Sequence, residues 1–241
     1  MRSTLYCLAI LALSSMSPIA FSAEGGVLVF GGSGRLGAPI VEGLIESGSN
    51  VTVFSRPNSN RQRLDGLNVN IVSGDLLSKN DVLAVFASAS FRAVIDASAR
   101  RGTQDLFYAT AMANIISGAS ENGVTQIIYH SSVGAGDNTK MFPRADFSGM
   151  RDVLLSKGQA EQSLIDSDIA YTIIRNGLLQ PDGTPPTGNA RLTEDQGVMS
   201  LVTRADLATL TLQCLDQPRC MNHIYHAADD GYEVPKAFRQ D

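Results

Sequence analysis

The sequence has no excess of positive charge, few cysteines and histidines, no repeat and no long apolar run. Each shortage removes a class of protein. Nineteen Lys and Arg stand against 24 Asp and Glu, a formal net charge of −5. Nucleic-acid binding draws on a clustered basic face, so this balance argues against such a partner. The three cysteines form no CxxC, and no His/Cys spacing suits zinc. His223 and His226 make an H-x-x-H, but in a strand that spacing puts the rings on opposite faces, a poor pair of metal ligands. No charge run, repeat or low-complexity tract stands out. A length of 241 residues, 44% of them hydrophobic, suffices for one sizeable α/β domain with a small appendage.

The most apolar stretch, Leu5 to Leu13, is too short to span a bilayer comfortably. Arg2 before it and Ala20-Phe21-Ser22 after it complete the three parts of a secretory signal peptide over residues 1–23. Small residues at Ala20 and Ser22 favour cleavage after Ser22, leaving 18 basic against 24 acidic side chains. Cys7 precedes the end of the apolar core, so it is no lipid-attachment site, and no stable membrane anchor is expected. Export to the periplasm or the medium is the favoured destination; a start at Met16 would instead leave the protein in the cytoplasm. Cys214 and Cys220 flank Leu215-Asp216-Gln217-Pro218-Arg219 and read either as separate half-buried thiols, the favoured reading, or as a small disulfide loop in an oxidising compartment.

The chemistry is concentrated in Gly26-Val27-Leu28-Val29-Phe30-Gly31-Gly32-Ser33-Gly34-Arg35-Leu36-Gly37. An apolar run, a glycine cluster and then apolar residues at helical spacing (Leu36, Ile40, Val41, Leu44) describe a buried strand, a tight turn and a helix. One glycine turns the chain, Gly34 lets backbone approach a pyrophosphate, and Gly37 lets the helix pack against the strand. The helix's free N–H groups then face the phosphates of a dinucleotide. The spacing fits both Gly32-x-Gly34-x-x-Gly37 and Gly31-x-x-Gly34-x-x-Gly37.

Beyond this turn, strands at Val51–Phe54, Leu67–Val72, Ala93–Asp96, Thr125–His130 and Tyr171–Arg175 alternate with helices at Asn80–Ala89, Gln104–Asn122 and Gly149–Asp166. Such alternation implies right-handed crossovers and an α/β fold, a doubly wound Rossmann-like parallel sheet with the ligand crevice at the strands' carboxyl ends. Residues 24–241 are expected to form this single domain, with a small C-terminal extension on the substrate side. An enzyme specific for NAD usually carries an acid at the end of the second strand; Phe54-Ser55-Arg56-Pro57 stands there instead. Arg56, helped by Arg35, offers a planar fork to a 2′-phosphate, so NADP is the favoured cofactor and NAD the less favoured. Asp75 and Leu76 follow the third strand, where Asp75 either accepts from the adenine amino group or caps a turn. Ala97 and Ser98 follow the fourth, where small residues let backbone pass beside the cofactor. The loop Pro181 to Asn189 reads as a cover over the substrate end.

Ser131-Ser132 at the fifth strand end, Ser156-Lys157-Gly158-Gln159-Ala160-Glu161, the block Ser167 to Leu178, and Val202 to Ala208 occur in the order found in one family. With the glycine loop Gly31, Gly32, Ser33, Gly34, Arg35, Leu36 and Gly37, they resemble the atypical short-chain dehydrogenase/reductases of the NAD(P)H-binding, NmrA-like kind. The resemblance covers residues 26–228. It implies a serine, Ser132 or its neighbour Ser131, that holds a substrate carbonyl. It also implies a lysine, Lys157, that holds the nicotinamide ribose and tunes a tyrosine acid. That tyrosine is missing, for Val153 stands four residues before Lys157. Three functions follow as expectations: an NADP-dependent oxidoreductase acting on acceptors such as flavins or quinones that take their proton from solvent, a non-enzymatic NADP-binding sensor, or an exported relative without the cofactor. Glu161 is expected to pair with Lys157 at i,i+4, Tyr129 to sit in the core, and His130 to face either the crevice or the core.

Overall fold

Val27, Leu28, Val29 and Phe30 have no exposed surface at all, which requires cover on both faces of their strand. In the computed structural model, which describes residues 25–100, 106–234 and 236–238, that cover comes from two helical layers around one sheet. The expected leader segment lies outside the described residues, as do Gln104 and Asp105, where the long helix was expected to begin. The elements run β1 Gly26–Phe30, α1 Gly37–Glu46, β2 Val51–Ser55, β3 Asn70–Ser73, α2 Lys79–Ser88, β4 Phe91–Asp96, α3 Phe107–Glu121, β5 Gln126–Ser132, α4 Arg151–Ile165 and β6 Ala170–Asn176. They continue through β7 Leu178–Leu179, β8 Ala190–Thr193, β9 Leu201–Val202, α5 Arg204–Cys214 and β10 His223–Asp229.

The sheet order is β3-β2-β1-β4-β5-β6-β10-β8, parallel except where β8 runs against β10. The order reverses between β1 and β4, and the loops leaving those two strands part there to open a crevice. Alternate residues of the central strands feed two cores. Leu28, Phe30, Val94 and Ile127 pack under α2, α3 and α4. Val27, Val29, Ile95 and Ile128 pack under α1 and α5.

The residues after β6 add β10 and β8 to the main sheet, with the short β7–β9 pair beside it. Two expectations need correction. The third strand begins at Asn70, not Leu67, because Gly66 at φ +80° and a Leu67 N–H bond to Leu64 keep that stretch in a turn. Cys214 and Cys220 are joined in a disulfide: Asp216, at φ +57°, folds the chain back so that Pro218–Cys220 returns beside the end of α5. No described helix is long and apolar enough to cross a membrane.

Candidate functional site

The glycine turn divides its work. Gly31 takes φ +72°, and a Cβ there would lie 2.7 Å from the backbone of Ala97 and Ser98. A Cβ on Gly37 would collide with the Gly31 carbonyl, so glycine alone lets α1 sit this close to the turn. Gly34 differs: its missing side chain faces only the Gly31 carbonyl, at 3.0 Å, and is otherwise open toward the cleft. Among the described residues no side chain caps α1 and its first turn carries no acid, so the positive end of its dipole is uncompensated, although the Ala38 N–H is taken by the Gly34 carbonyl and Pro39 has none. These are the properties a pyrophosphate site requires.

From this turn a cleft of about 740 Å³ runs along the carboxyl ends of the strands. Gly31, Ser33, Gly34, Arg35 and Leu36 form its middle, Arg56, Asp75 and Leu76 its β2–β3 end, and Ala97 and Ser98 its floor. Ser132 and Lys157 line the β5 end. Two expected site residues do not line it: Gly32 is buried against Val53 and Val41, and Gly37 behind Gly31, so both shape the turn from beneath.

At the β5 end Lys157 projects from α4 and is almost wholly buried. Its Nζ donates to the His130 carbonyl at 2.8 Å and stands 4.5 Å from the centre of the Tyr108 ring and 5.4 Å from that of Tyr129. Burial pulls the Lys157 ammonium down to about 8, although Asp96 and Glu161 oppose this. Asp96 Oδ1 accepts the Ser98 N–H at 2.9 Å, and burial raises its carboxyl against the effect of Ser98 and Lys157. The hydroxyls of Ser98 and Ser131 line the cleft and, like that of Tyr129 in the core, are buried with no hydrogen bond of full geometry among the described residues, although Ser98 lies against the Asp96 carboxylate and Ser131 against the Tyr129 phenol. Such groups at the wall of a cleft are those a bound molecule or water satisfies.

His130 does both things left open for it: it lines the cleft, yet its ring is buried, with Nε2 3.0 Å from Thr211 Oγ1 and Nδ1 3.4 Å from Asn176 Oδ1. Burial lowers it to about 4, so the imidazole is neutral near pH 7. Tyr129 is a core residue, as expected. Glu161 does not pair with Lys157. It meets Arg175 of β6 through two bonds of 3.0 and 2.6 Å, leaving Lys157 turned into the cleft one helical turn away. Asp75 holds a turn by accepting the Leu77 N–H at 3.0 Å, and it lines the cleft as well.

Two residues were not anticipated. Tyr108 of α3 lines the cleft and accepts the Arg100 N–H at 3.2 Å; nothing in Phe107-Tyr108 distinguishes it from core sequence. Arg204 opens α5 and donates to the Gln180 carbonyl at 2.7 Å while lining the cleft. The loop after Gln180 also departs from expectation. Its tip crosses toward the β2 end, not the substrate end, and Asp182 Oδ2 lies 3.1 Å from Arg63 Nη2 and 3.5 Å from Arg35 Nε. Arg204 is within electrostatic reach of all three; burial lowers its guanidinium, Asp182 opposes this, and Arg35 and Arg63 add to it. A cluster of arginines after the second strand, Arg56, Arg61 and Arg63, was visible in the sequence. Arg61 braces it by donating to Ser55 Oγ at 3.1 Å and Ser73 Oγ at 2.7 Å.

A glycine turn beneath an uncapped helix, at the reversal of a parallel sheet and leading to a buried lysine, defines a dinucleotide-binding Rossmann protein. The chain belongs to the NAD(P)H-binding family, whose sequence model matches residues 31–218. An uncharacterized chloroplastic protein of Arabidopsis thaliana is 30% identical over 203 residues, 79% of this chain and 72% of that protein. Among solved structures, the anaerobilin reductase ChuY of Escherichia coli O157:H7 superposes with a TM-score of 0.75 at 23% identity, over 87% of this chain and all of that one. A short-chain dehydrogenase/reductase of Veillonella parvula in complex with NADP gives 0.70 at 17% identity, over 88% and 99% of the two chains. These two structures establish likeness of fold.

Proposed function

We propose that the protein is an NADPH-dependent reductase of planar, conjugated acceptors. The observation that carries this reading is the pairing, in one cleft, of an end at β2 that carries Arg56 and Arg35 with a buried lysine and the hydroxyls of Ser131 and Ser132 at β5. The β2 end offers Arg56 and no carboxylate from β2 itself, which supports a phosphate on the adenosine ribose over a free hydroxyl. When bound, the nicotinamide supplies the hydride. Lys157 then orients the ribose beside it and holds a proton at Nζ that an acceptor can take. Ser131 and Ser132 offer hydroxyls to a carbonyl of the acceptor. Met150, Val153 and Leu178 make that end of the cleft apolar.

Val153 in place of the family's tyrosine narrows the chemistry. Neither nearby phenol stands in its place: Tyr129 is a core residue outside the cleft lining, and the Tyr108 oxygen accepts the Arg100 N–H, with burial raising both hydroxyls. Acceptors that stabilise charge over a conjugated system need least help from an acid, which favours flavins, quinones and compounds such as the anaerobilin on which the Escherichia coli protein acts. The same gap supports a second reading, an NADP-binding sensor without turnover. The Cys214–Cys220 disulfide supports export, and the N-terminal residue of the mature protein, read by mass spectrometry, tests cleavage after Ser22.

Titration of the mature protein with NADPH and NADH, followed by dihydronicotinamide fluorescence, tests the reading. Tighter NADPH binding, lost in Arg56→Glu, together with oxidation of NADPH by a flavin, quinone or anaerobilin, is the expected result. Binding without turnover selects the sensor. No binding of either nucleotide overturns both.

A further inference from the structure

The loop from Pro181 to Asn189 is fixed at both ends. The Gln180 N–H donates to the Val202 carbonyl at 3.0 Å, and Arg204 holds the Gln180 carbonyl. At the other end the Thr187 and Gly188 N–H groups donate to the two oxygens of Asp206 at 3.0 and 3.1 Å. Between them the Pro181 carbonyl takes both the N–H and the hydroxyl of Thr184, and Gly183 turns at φ +81°, so the tip is a small braced turn. Asp182 stands on that tip. Its carboxylate pairs with Arg35 of the glycine turn, which lines the cleft, and with Arg63 beyond β2, which does not.

The charges there do not balance. Arg35, Arg63 and Arg204 surround one carboxylate, and Arg56 lines the same end of the cleft. A phosphate monoester, with about two negative charges at neutral pH and three acceptor oxygens, answers this cluster better than a single carboxylate does. Arg35 cannot fully serve both. An exposed pair of this kind is weak, so a ligand can displace it.

Resting on the proposed NADP reading, we propose that Asp182 is a tethered competitor for the 2′-phosphate: it holds the arginine cluster closed and is displaced when the phosphorylated ribose enters. Arg63 and Arg204 then join Arg56 and Arg35 in setting preference for NADPH. The strap thereby couples occupancy of the adenosine end to the position of the loop that borders Leu178 and Leu179 at the other end. Asp182 is a specificity residue that acts by weakening the site it guards.

Asp182→Asn keeps the shape of the tip and removes its charge. Its affinities for NADPH, NADH, 2′,5′-ADP and 5′-AMP, measured by calorimetry, are compared with those of the unaltered protein. NADPH and 2′,5′-ADP should bind about three- to tenfold tighter, the size expected for releasing weak exposed pairs. NADH and 5′-AMP should change less than about twofold. Unchanged or weaker binding of 2′,5′-ADP, with NADPH still oxidised by an acceptor, overturns the competitor and leaves the reductase standing. Tighter 2′,5′-ADP binding without turnover by any acceptor does the reverse. No binding of 2′,5′-ADP by either protein removes both.

Discussion

Lys157 has given up almost all contact with water, and its surroundings decide what it can still do. The carboxylates of Asp96 and Glu161 favour its charge, as do the His130 carbonyl, which accepts from Nζ, and the faces of Tyr108 and Tyr129, which stand toward it. Burial opposes them and wins, so the amine titrates near 8 and not at 10.5. If the ammonium is the working form, NADPH-dependent turnover falls as pH rises through about 8. Lys157→Arg, which stays charged, moves that fall to higher pH. A flat profile between pH 6 and 9.5 in the unaltered protein would rule the role out. Linkage adds a signature independent of turnover. Between about 8 and 10.5 the unfolded chain keeps a proton that the folded chain has released, so stability rises with pH across that window. The gain is at most about 3 kcal/mol, and Lys157→Met abolishes it in denaturant titrations at the two ends of the window. Lys157 was legible as a site residue because its block follows the twin serines in family order. Tyr108 was not, because its place beside Lys157 depends on how α3 packs on α4.

The same limit governs pairs between elements. On a helix surface, residues four apart are neighbours, which made Lys157 and Glu161 an obvious pair. The sheet supplies a better partner. Arg175 rises from β6 with a planar fork, takes both oxygens of Glu161 and also donates to Gln196 at 2.8 Å. Both side chains are largely buried, so loss of one leaves an uncompensated charge. Glu161→Gln should cost about 3–5 kcal/mol in chemical denaturation, and the added change Arg175→Gln should restore part of it. A loss below about 1 kcal/mol would show that water reaches the pair. Strand and helix positions, by contrast, were readable nearly throughout, because apolar periodicity is a local property. The ends of β3 and the partners of β10 were not, since a glycine turn shifts the first and only sheet register fixes the second.

At the scale of the whole molecule, the parallel sheet separates two ends with different duties. Loops at the carboxyl ends of the strands carry the cleft, while the amino ends carry the bracing that holds the later elements to the early ones. Gln126, at the start of β5, donates from Nε2 to the Cys214 carbonyl and to Thr172 Oγ1, both at 3.0 Å, and accepts the Asp216 N–H at 2.8 Å. Thr172 in turn donates to the Cys220 carbonyl at 2.8 Å. The Cys214–Cys220 disulfide closes this knot, tying the end of α5 to the start of β10 across six positions of chain. The double variant Cys214→Ser/Cys220→Ser should therefore lose about 2–3 kcal/mol, as expected for a short closed loop, and about 5–10 °C in Tm. Because the knot lies at the opposite end of the sheet from the glycine turn, its NADPH affinity should stay within about twofold of the unaltered protein. Calorimetry with and without reductant reads both quantities. An unchanged Tm would show that the hydrogen bonds around Gln126 hold this end without the disulfide. A large loss of NADPH affinity would show that the two ends of the sheet are coupled, contrary to the separation argued from the topology.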